Sequence, residues 1–251
     1  MHRHYDNTSG LDRRQLLALG FPFFFWRKRG IRLEGSKFDI VRRGRSTRRY
    51  IHIHGNEETA RQILRAHMKT HSGIAFLVEG AKRNVSLDGG ILDPNRMFSR
   101  AGAERNLRTL NPSWSAEQIG AALDKLDRGR DRLLRALLPG NGGLLIAVHN
   151  NSEGYSVRDE VPISDRVSLA DETHPHEFFL CTHVGDYEKL AASPYNVVLQ
   201  NRAPPDDDGS LSRLAAKRGV RYVNLECALG NSAKQREMLE WADWQLAQVI
   251  S

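Results

Sequence analysis

The chain has 251 residues, with 40% hydrophobic and 27% charged residues, the proportions of an ordinary globular protein long enough to bury one full core. Its net charge of +7 is concentrated in residues 1–50, which hold 13 Lys+Arg against 4 Asp+Glu. The remainder is therefore not basic, and no helix-turn-helix, zinc-finger or aromatic base-stacking pattern supports a nucleic-acid partner. Two cysteines, Cys181 and Cys227, exclude a disulfide framework.

Residues 1–36 read as a basic leader ahead of a catalytic domain at 37–251. Leu11-Asp12-Arg13-Arg14-Gln15-Leu16-Leu17 and the apolar run to Trp26 look like a twin-arginine export signal. That reading implies a periplasmic or secreted protein. The run ends in Arg27-Lys28-Arg29 with no small-residue cleavage site, so a flexible or amphipathic leader on a cytoplasmic protein is the alternative. At about 11 residues the run is too short for a membrane span, which takes about 20, and no other segment reads as one.

Residues 38–41 and 49–54 read as two strands joined by a turn at 44–47. Apolar residues at Ala60, Ile63, Leu64 and Met68 give helical spacing over 57–69. A strand at 73–78 leads into a long irregular loop through Pro94, carrying Arg83, Asp88, Asp93, Asn95 and Arg96; loops of this kind are commonly functional. A charged helix at 115–138 is capped by Ser115 and stopped by Pro139-Gly140. Strands follow at 144–148, 178–182, 196–200 and 220–225, with helices near 185 and 210 and a last helix at 232–250. This alternation predicts an α/β fold, a mostly parallel or mixed central sheet with helices on both faces. Sites in such sheets form at the carboxyl ends of strands, where His54, His149 and Glu226 sit.

The segment Tyr50-Ile51-His52-Ile53-His54-Gly55-Asn56-Glu57 runs from an alternating strand into the start of a helix. An imidazole and a carboxylate three residues apart at such a junction can converge on one cation. Catalytic zinc sites commonly use three protein ligands, and the strand-end His149 supplies the third. His52, on the same strand face as His54, is the competing ligand. Arg96 with Asn95, in a turn stiffened by Pro94, makes a planar, permanently charged clamp for a carboxylate; its bland reading is a salt bridge across the turn. For Glu226 the bland reading is a salt bridge with Lys234 or Arg236. Cys227, adjacent to Glu226 on a strand, points to the opposite face.

His54-Gly55-Asn56-Glu57, Asp93-Pro94-Asn95-Arg96, the strand-end His149 and the strand-end Glu226 resemble, in that order, the zinc carboxypeptidases and their succinylglutamate desuccinylase and aspartoacylase relatives, over roughly residues 38–250. The resemblance implies a zinc carboxypeptidase-like fold, with Zn2+ held by His54, Glu57 and His149. It implies that Glu226 takes a proton from the attacking water and passes it to the leaving amine. It assigns Asn95 and Arg96 to the substrate carboxylate, and Arg83 to the scissile carbonyl and oxyanion, with Lys82 as a substitute for Arg83. It also implies a mobile tyrosine over the substrate. Tyr155, Tyr187, Tyr195 and Tyr222 are candidates, and Tyr155 is carried as the substrate-binding residue.

The expected function is thus zinc-dependent hydrolysis of an amide bond in a carboxylate-bearing substrate, a peptide C-terminus or an N-acyl amino acid. Export would favour a cell-wall peptide. One rival is a catalytically silent protein of the same fold that binds peptide or peptidoglycan, and another is a surface protein whose function lies in the basic leader. Oligomeric state has no signature in the sequence.

Overall fold

The computed structural model describes residues 29–140, 142–151, 154–202 and 206–246. The twin-arginine-like stretch lies outside the described residues, as do Ser152 and the end of the expected last helix. In chain order the strands are β1 (Arg29–Leu33), β2 (Ser36–Arg43), β3 (Arg49–His52), β4 (Gly73–Val78), β5 (Val85–Leu87), β6 (Gly90–Leu92), β7 (Leu145–Asn151), β8 (Arg166–Ser168), β9 (Phe178–Cys181), β10 (Asn196–Leu199) and β11 (Tyr222–Ala228). The helices are α1 (Glu58–His67), α2 (Arg100–Leu110), α3 (Ala116–Leu137), the single turn α4 (Val157–Glu160), α5 (Val184–Leu190), α6 (Leu211–Arg218) and α7 (Ser232–Gln245).

Nine strands form one mixed sheet in the order β1-β2-β4-β3-β7-β11-β9-β10-β8, and β5 with β6 makes a separate hairpin. The central strands β4, β3, β7 and β11 run parallel to one another, and antiparallel pairs flank them at β2–β4 and β11–β9. Strands β2 and β3 are not adjacent, because β4 pairs with both and lies between them. The sheet also starts earlier than residue 37. Strand β1, within the stretch read as leader, pairs antiparallel with β2 from Arg29↔Ile40 to Leu33↔Ser36.

Alternate residues of a strand face opposite sides of the sheet, and here both sides are covered. Leu145 and Ala147 of β7 enter one core with apolar residues of α2, α3 and α6, while Ile146 and Val148 enter a second core with α1, α5 and α7. Strand β7 is buried at every position, as expected of a strand packed on both faces. Helix α3 packs through Ile119, Leu123, Leu126, Leu133 and Leu137, and begins with a capping box between Ser115 and Gln118. Among the described residues no helix is long and apolar enough to cross a membrane.

The segment expected as irregular loop is partly ordered: the β5–β6 hairpin and the 3-10 turn Pro94–Arg96 lead into α2. Its position depends on a close backbone contact. A Cβ on Gly102, in the first turn of α2, would sit 2.2 Å from Gly209 Cα, and Phe98 N–H donates to Gly209 O at 3.0 Å. Backbone cannot move aside as a side-chain tip can, so Gly102→Ala is expected to destabilise by about 1–3 kcal/mol. For a chain of this size that lowers Tm by roughly 2–4 °C per kcal/mol. A thermal melt with unchanged Tm would show that this contact does not hold the segment in place.

Candidate metal centre

The turn after β3 is built by backbone. Gly55 N–H donates to Lys82 O at 3.1 Å, and a Cβ at Gly55 would lie 2.6 Å from that oxygen, so a side chain there has no room. Arg61 reaches back from α1 to Gly55 O at 2.9 Å. The turn delivers His54 and Glu57 together, 2% and 3% exposed. Glu57 precedes α1 but does not cap it with its own side chain. Asn150 Oδ1, on β7, accepts from Ala60 N at 2.8 Å and satisfies one of the free N–H groups of the first turn.

Glu57 is the hub. Its Oε1 lies 2.7 Å from His54 Nδ1, and its Oε2 lies 3.1 Å from His149 Nδ1. The backbone N–H of Asn150 also donates to Oε2, at 3.1 Å. One donor atom each from His54, Glu57 and His149 falls within a 4.8 Å cluster, with all three residues buried. His54 Nε2 sits 2.8 Å from Asp93 Oδ1, the carboxylate partner that commonly fixes a ligating imidazole's tautomer. Asp93 is itself held by Asn106 Oδ1, which accepts its N–H at 2.9 Å, and it caps the 3-10 turn by accepting from Asn95 N at 2.8 Å. Behind His149, Gln235 of α7 donates to the His149 carbonyl at 2.7 Å and accepts from Asn150 Nδ2 at 3.0 Å.

Two imidazoles and one carboxylate, buried and converging through Nδ1 atoms on shared space, fit a borderline divalent ion such as zinc better than calcium or magnesium, which favour all-oxygen shells. His52 does not join them. Its Nε2 meets the backbone carbonyl of Glu57 at 2.9 Å, and burial pushes its pKa down to about 4, so it is a neutral core residue.

The cluster opens into a cleft of about 570 Å³ that His54, Glu57, Arg83, Asn95, Arg96, His149, Tyr155 and Glu226 all line. Glu226 is the Cα partner of His149 in the parallel β7–β11 pair, so both side chains rise on the same face. It is 5% exposed and accepts from Asn224 Nδ2 at 3.0 Å, whereas Lys234 pairs with Glu237 instead. Burial pushes the Glu226 pKa up to about 7, opposed by the His149 imidazole and reinforced by the Glu57 charge. Glu57 goes the other way. Burial would raise its pKa, yet His149 and His54 hold it far below the carboxylate range. At His54, burial disfavours the cation, but Asp93 and Glu57 outweigh it and push the pKa up to about 9.

Arg83, with half of its side chain exposed, lies 3.2 Å from Asp93 Oδ2 and 3.5 Å from Glu57 Oε1. Lys82 does not line the cleft. Asn95 Oδ1 accepts from Leu211 N at 3.1 Å, and Arg96 Nη1 lies 3.6 Å from Asp208 Oδ2. Of the four tyrosines, Tyr155 and Tyr222 line the cleft, whereas Tyr187 and Tyr195 belong to the opposite core. Tyr155 donates to Glu160 Oε1 at 2.7 Å and packs its ring 5.8 Å from that of Phe178. Burial and the carboxylates of Glu226 and Glu160 raise its pKa well above the usual phenol range. Its ring lines the wall of the cleft beside Glu226.

Sequence reasoning missed Gln235, Asn106 and Asn224, and a polar group farther along the cleft. There Gln200, at the end of β10, accepts from Arg213 at 3.0 Å and donates to Glu160 Oε2 at 2.5 Å. A strand-end glutamine in 196–200 was the available signal; Gln235, inside a charged helix, had none.

No family model matches the chain, and no curated protein is recognisably similar to it in sequence. Among solved structures, an aspartoacylase family protein from Mesorhizobium loti is similar at 14% identity and a TM-score of 0.46, with 86% of this chain and 62% of that one covered. The chain thus spans less than two thirds of that protein's length. A candidate metallopeptidase from Shewanella denitrificans aligns at 12% identity and a TM-score of 0.41, over 84% of this chain and 78% of its own. A second, from Shewanella amazonensis, aligns at 13% and 0.38, over 84% and 80%. These likenesses are weak and assign no activity to the cleft.

Two outcomes follow from the cluster. His149→Ala is expected to lose most bound metal by elemental analysis, whereas His52→Ala retains it; the reverse pattern would remove His149 from the ligand set. In metal-free protein, the raised pKa of Glu226 gives stability that is full below its unfolded value of 4.5 and is lost as pH rises through about 7. Glu226→Gln stays neutral throughout. Its stability advantage over wild type should therefore grow between pH 4.5 and 7 and then level off, as read by denaturant melts in chelator. A constant gap would mean that Glu226 is ionised in the folded state throughout.

Proposed function

We propose that the chain is a zinc-dependent hydrolase that cleaves an amide bond in a substrate carrying a free carboxylate, a peptide C-terminus or an N-acyl amino acid. The observation that carries the reading is the Glu57 carboxylate shared by His54 Nδ1 and His149 Nδ1, with Glu226 beside His149 in one cleft. A silent binding protein has no need of such an arrangement.

His54, Glu57 and His149 would hold the ion. When bound, zinc lowers the pKa of water and polarises a carbonyl. Glu226 accepts the proton of the attacking water and delivers it to the leaving amine. A carboxyl tuned towards neutral pH is suited to both transfers, because its two protonation states are close in energy. Arg83 stands at the rim with its guanidinium anchored by Asp93, and takes the developing oxyanion. Asn95 and Arg96 bind the substrate carboxylate. The Arg96–Asp208 pair is long and partly exposed, at 34% and 38% of side-chain area, so exchanging Asp208 for a substrate carboxylate costs little. Leu229 and Ile163, each about half exposed at the cleft, offer an apolar rim for the rest of the substrate.

Glu226→Gln tests the reading directly. It should keep zinc and fold while losing about 10²- to 10⁴-fold in turnover; near-wild-type turnover would place proton transfer elsewhere. The carboxylate clamp is tested by a double cycle of kcat/KM. Amidating the substrate carboxylate and changing Arg96→Ala should each cost about 1.5–3 kcal/mol, roughly 10- to 150-fold. Combined, they should cost little more than either alone. Simple additivity would reduce Arg96 to a partner of Asp208.

A further inference from the structure

The far end of α1 carries a second histidine cluster that the hydrolase reading does not use. Helix α1 starts beside Glu57 and ends at His67, so this cluster lies about 15 Å along the helix from the first. His67 is 6% exposed, and its Nε2 is buried with no hydrogen-bond partner among the described residues. It points towards Asp243 Oδ2 of α7, at 3.4 Å. That contact is long and misses hydrogen-bond geometry, so the buried ring nitrogen keeps bonding capacity that a ligand would take up.

The neighbours of His67 prepare that space. Asp243 Oδ1 is taken up by Arg48 Nη1 at 2.7 Å and by the Tyr50 hydroxyl at 2.9 Å, which fixes the carboxylate and leaves Oδ2 facing the imidazole. His71 follows one helical turn after His67, the spacing that puts two imidazoles on one face. Its Nδ1 contacts the His67 carbonyl at 3.2 Å and Thr70 Oγ1 at 2.9 Å, leaving Nε2 as the free ring atom. Ligand atoms from His67, His71 and Asp243 fall within 4.8 Å of one another. His67 and His71 border a surface cavity of about 220 Å³ that Arg236 and Glu240 also line, with room for water to complete a coordination shell, and Asp243 lies behind His67.

We propose that His67, His71 and Asp243 form a second transition-metal site, for a borderline divalent ion such as zinc, nickel or copper. Imidazole donors select these ions over magnesium and calcium. The two rings stack 3.7 Å apart at an interplanar angle of 6°, so their in-plane lone pairs run parallel. One ring has to turn to meet a shared ion. His71, half-buried beside the cavity and just past the end of α1, has the space to do so. Arg48 and Arg236 oppose a cation here, whereas Asp243 and Glu240 favour it; the Arg48–Asp243 pair cancels, as do the charges of Arg236 and Glu240, so the surroundings are neutral overall and the imidazole donors carry the selectivity.

The test is metal stoichiometry by elemental analysis of full-length protein, stripped with chelator, reloaded with Zn2+ and desalted. Wild type should hold two equivalents, His71→Ala one, His149→Ala one, and the double variant none. Should His71→Ala lose an equivalent while His149→Ala does not, this inference stands and the first cluster's assignment falls. A stoichiometry unchanged by His71→Ala overturns the second site. Protection mapping needs no variant: Zn2+ should slow carbethoxylation of the peptide carrying His71 severalfold in wild-type protein, and an unchanged rate would overturn the proposal independently.

Discussion

A single buried carboxylate organises this molecule. Glu57 is almost fully enclosed, and both oxygens are committed, one to His54 and the other to His149 and the Asn150 backbone. A carboxylate so placed costs several kcal/mol if its partners are removed, so the elements that deliver them are fixed with respect to one another. The turn after β3, the first turn of α1 and the end of β7 meet at this residue. Asn150 ties the three together, receiving Ala60 N–H at its side chain while giving its own N–H to Glu57.

From that hub the polar contacts run outward in two directions. Towards the 3-10 turn they pass through His54 to Asp93, and from Asp93 to Arg83, Asn106 and Asn95. Into the helical layer behind the sheet they pass through His149 and Asn150 to Gln235. Glu226 stands apart, on the next strand in register with His149 but bonded only by Asn224 among the described residues. The two carboxyls are driven in opposite directions by their surroundings, Glu57 down by imidazoles and Glu226 up to about 7 by burial. Divergent environments of this kind separate a ligand's role from a proton carrier's.

Much of this was legible in the sequence where a local signal existed. The β3–turn–α1 junction, the apolar run into His149 and the run into Glu226 each carry their own periodicity, and strand ends of an α/β sheet are where chemistry collects. Other features had no local signature. Helix α2 buries only Gly102, Ala103 and Leu107, too sparse a stripe to mark a helix, and β5 and β6 are three residues each, too short to show alternation. The separation of β2 from β3 by β4 is a matter of long-range pairing that turn residues do not encode. Strand β1 was hidden in a basic stretch read by composition. Gln235 acts on His149 across 86 residues of sequence, and only the fold brings them together.

In the proposed function, His54, Glu57 and His149 hold one zinc ion at the floor of the cleft. Anomalous diffraction from crystals grown with zinc, recorded on both sides of the zinc absorption edge, tests it directly. The expected result is a peak present only above the edge, about 2.0–2.2 Å from His54 Nδ1, His149 Nδ1 and a Glu57 oxygen. An undisturbed Glu57–imidazole cluster with no peak, in crystals whose zinc lies elsewhere, would contradict it.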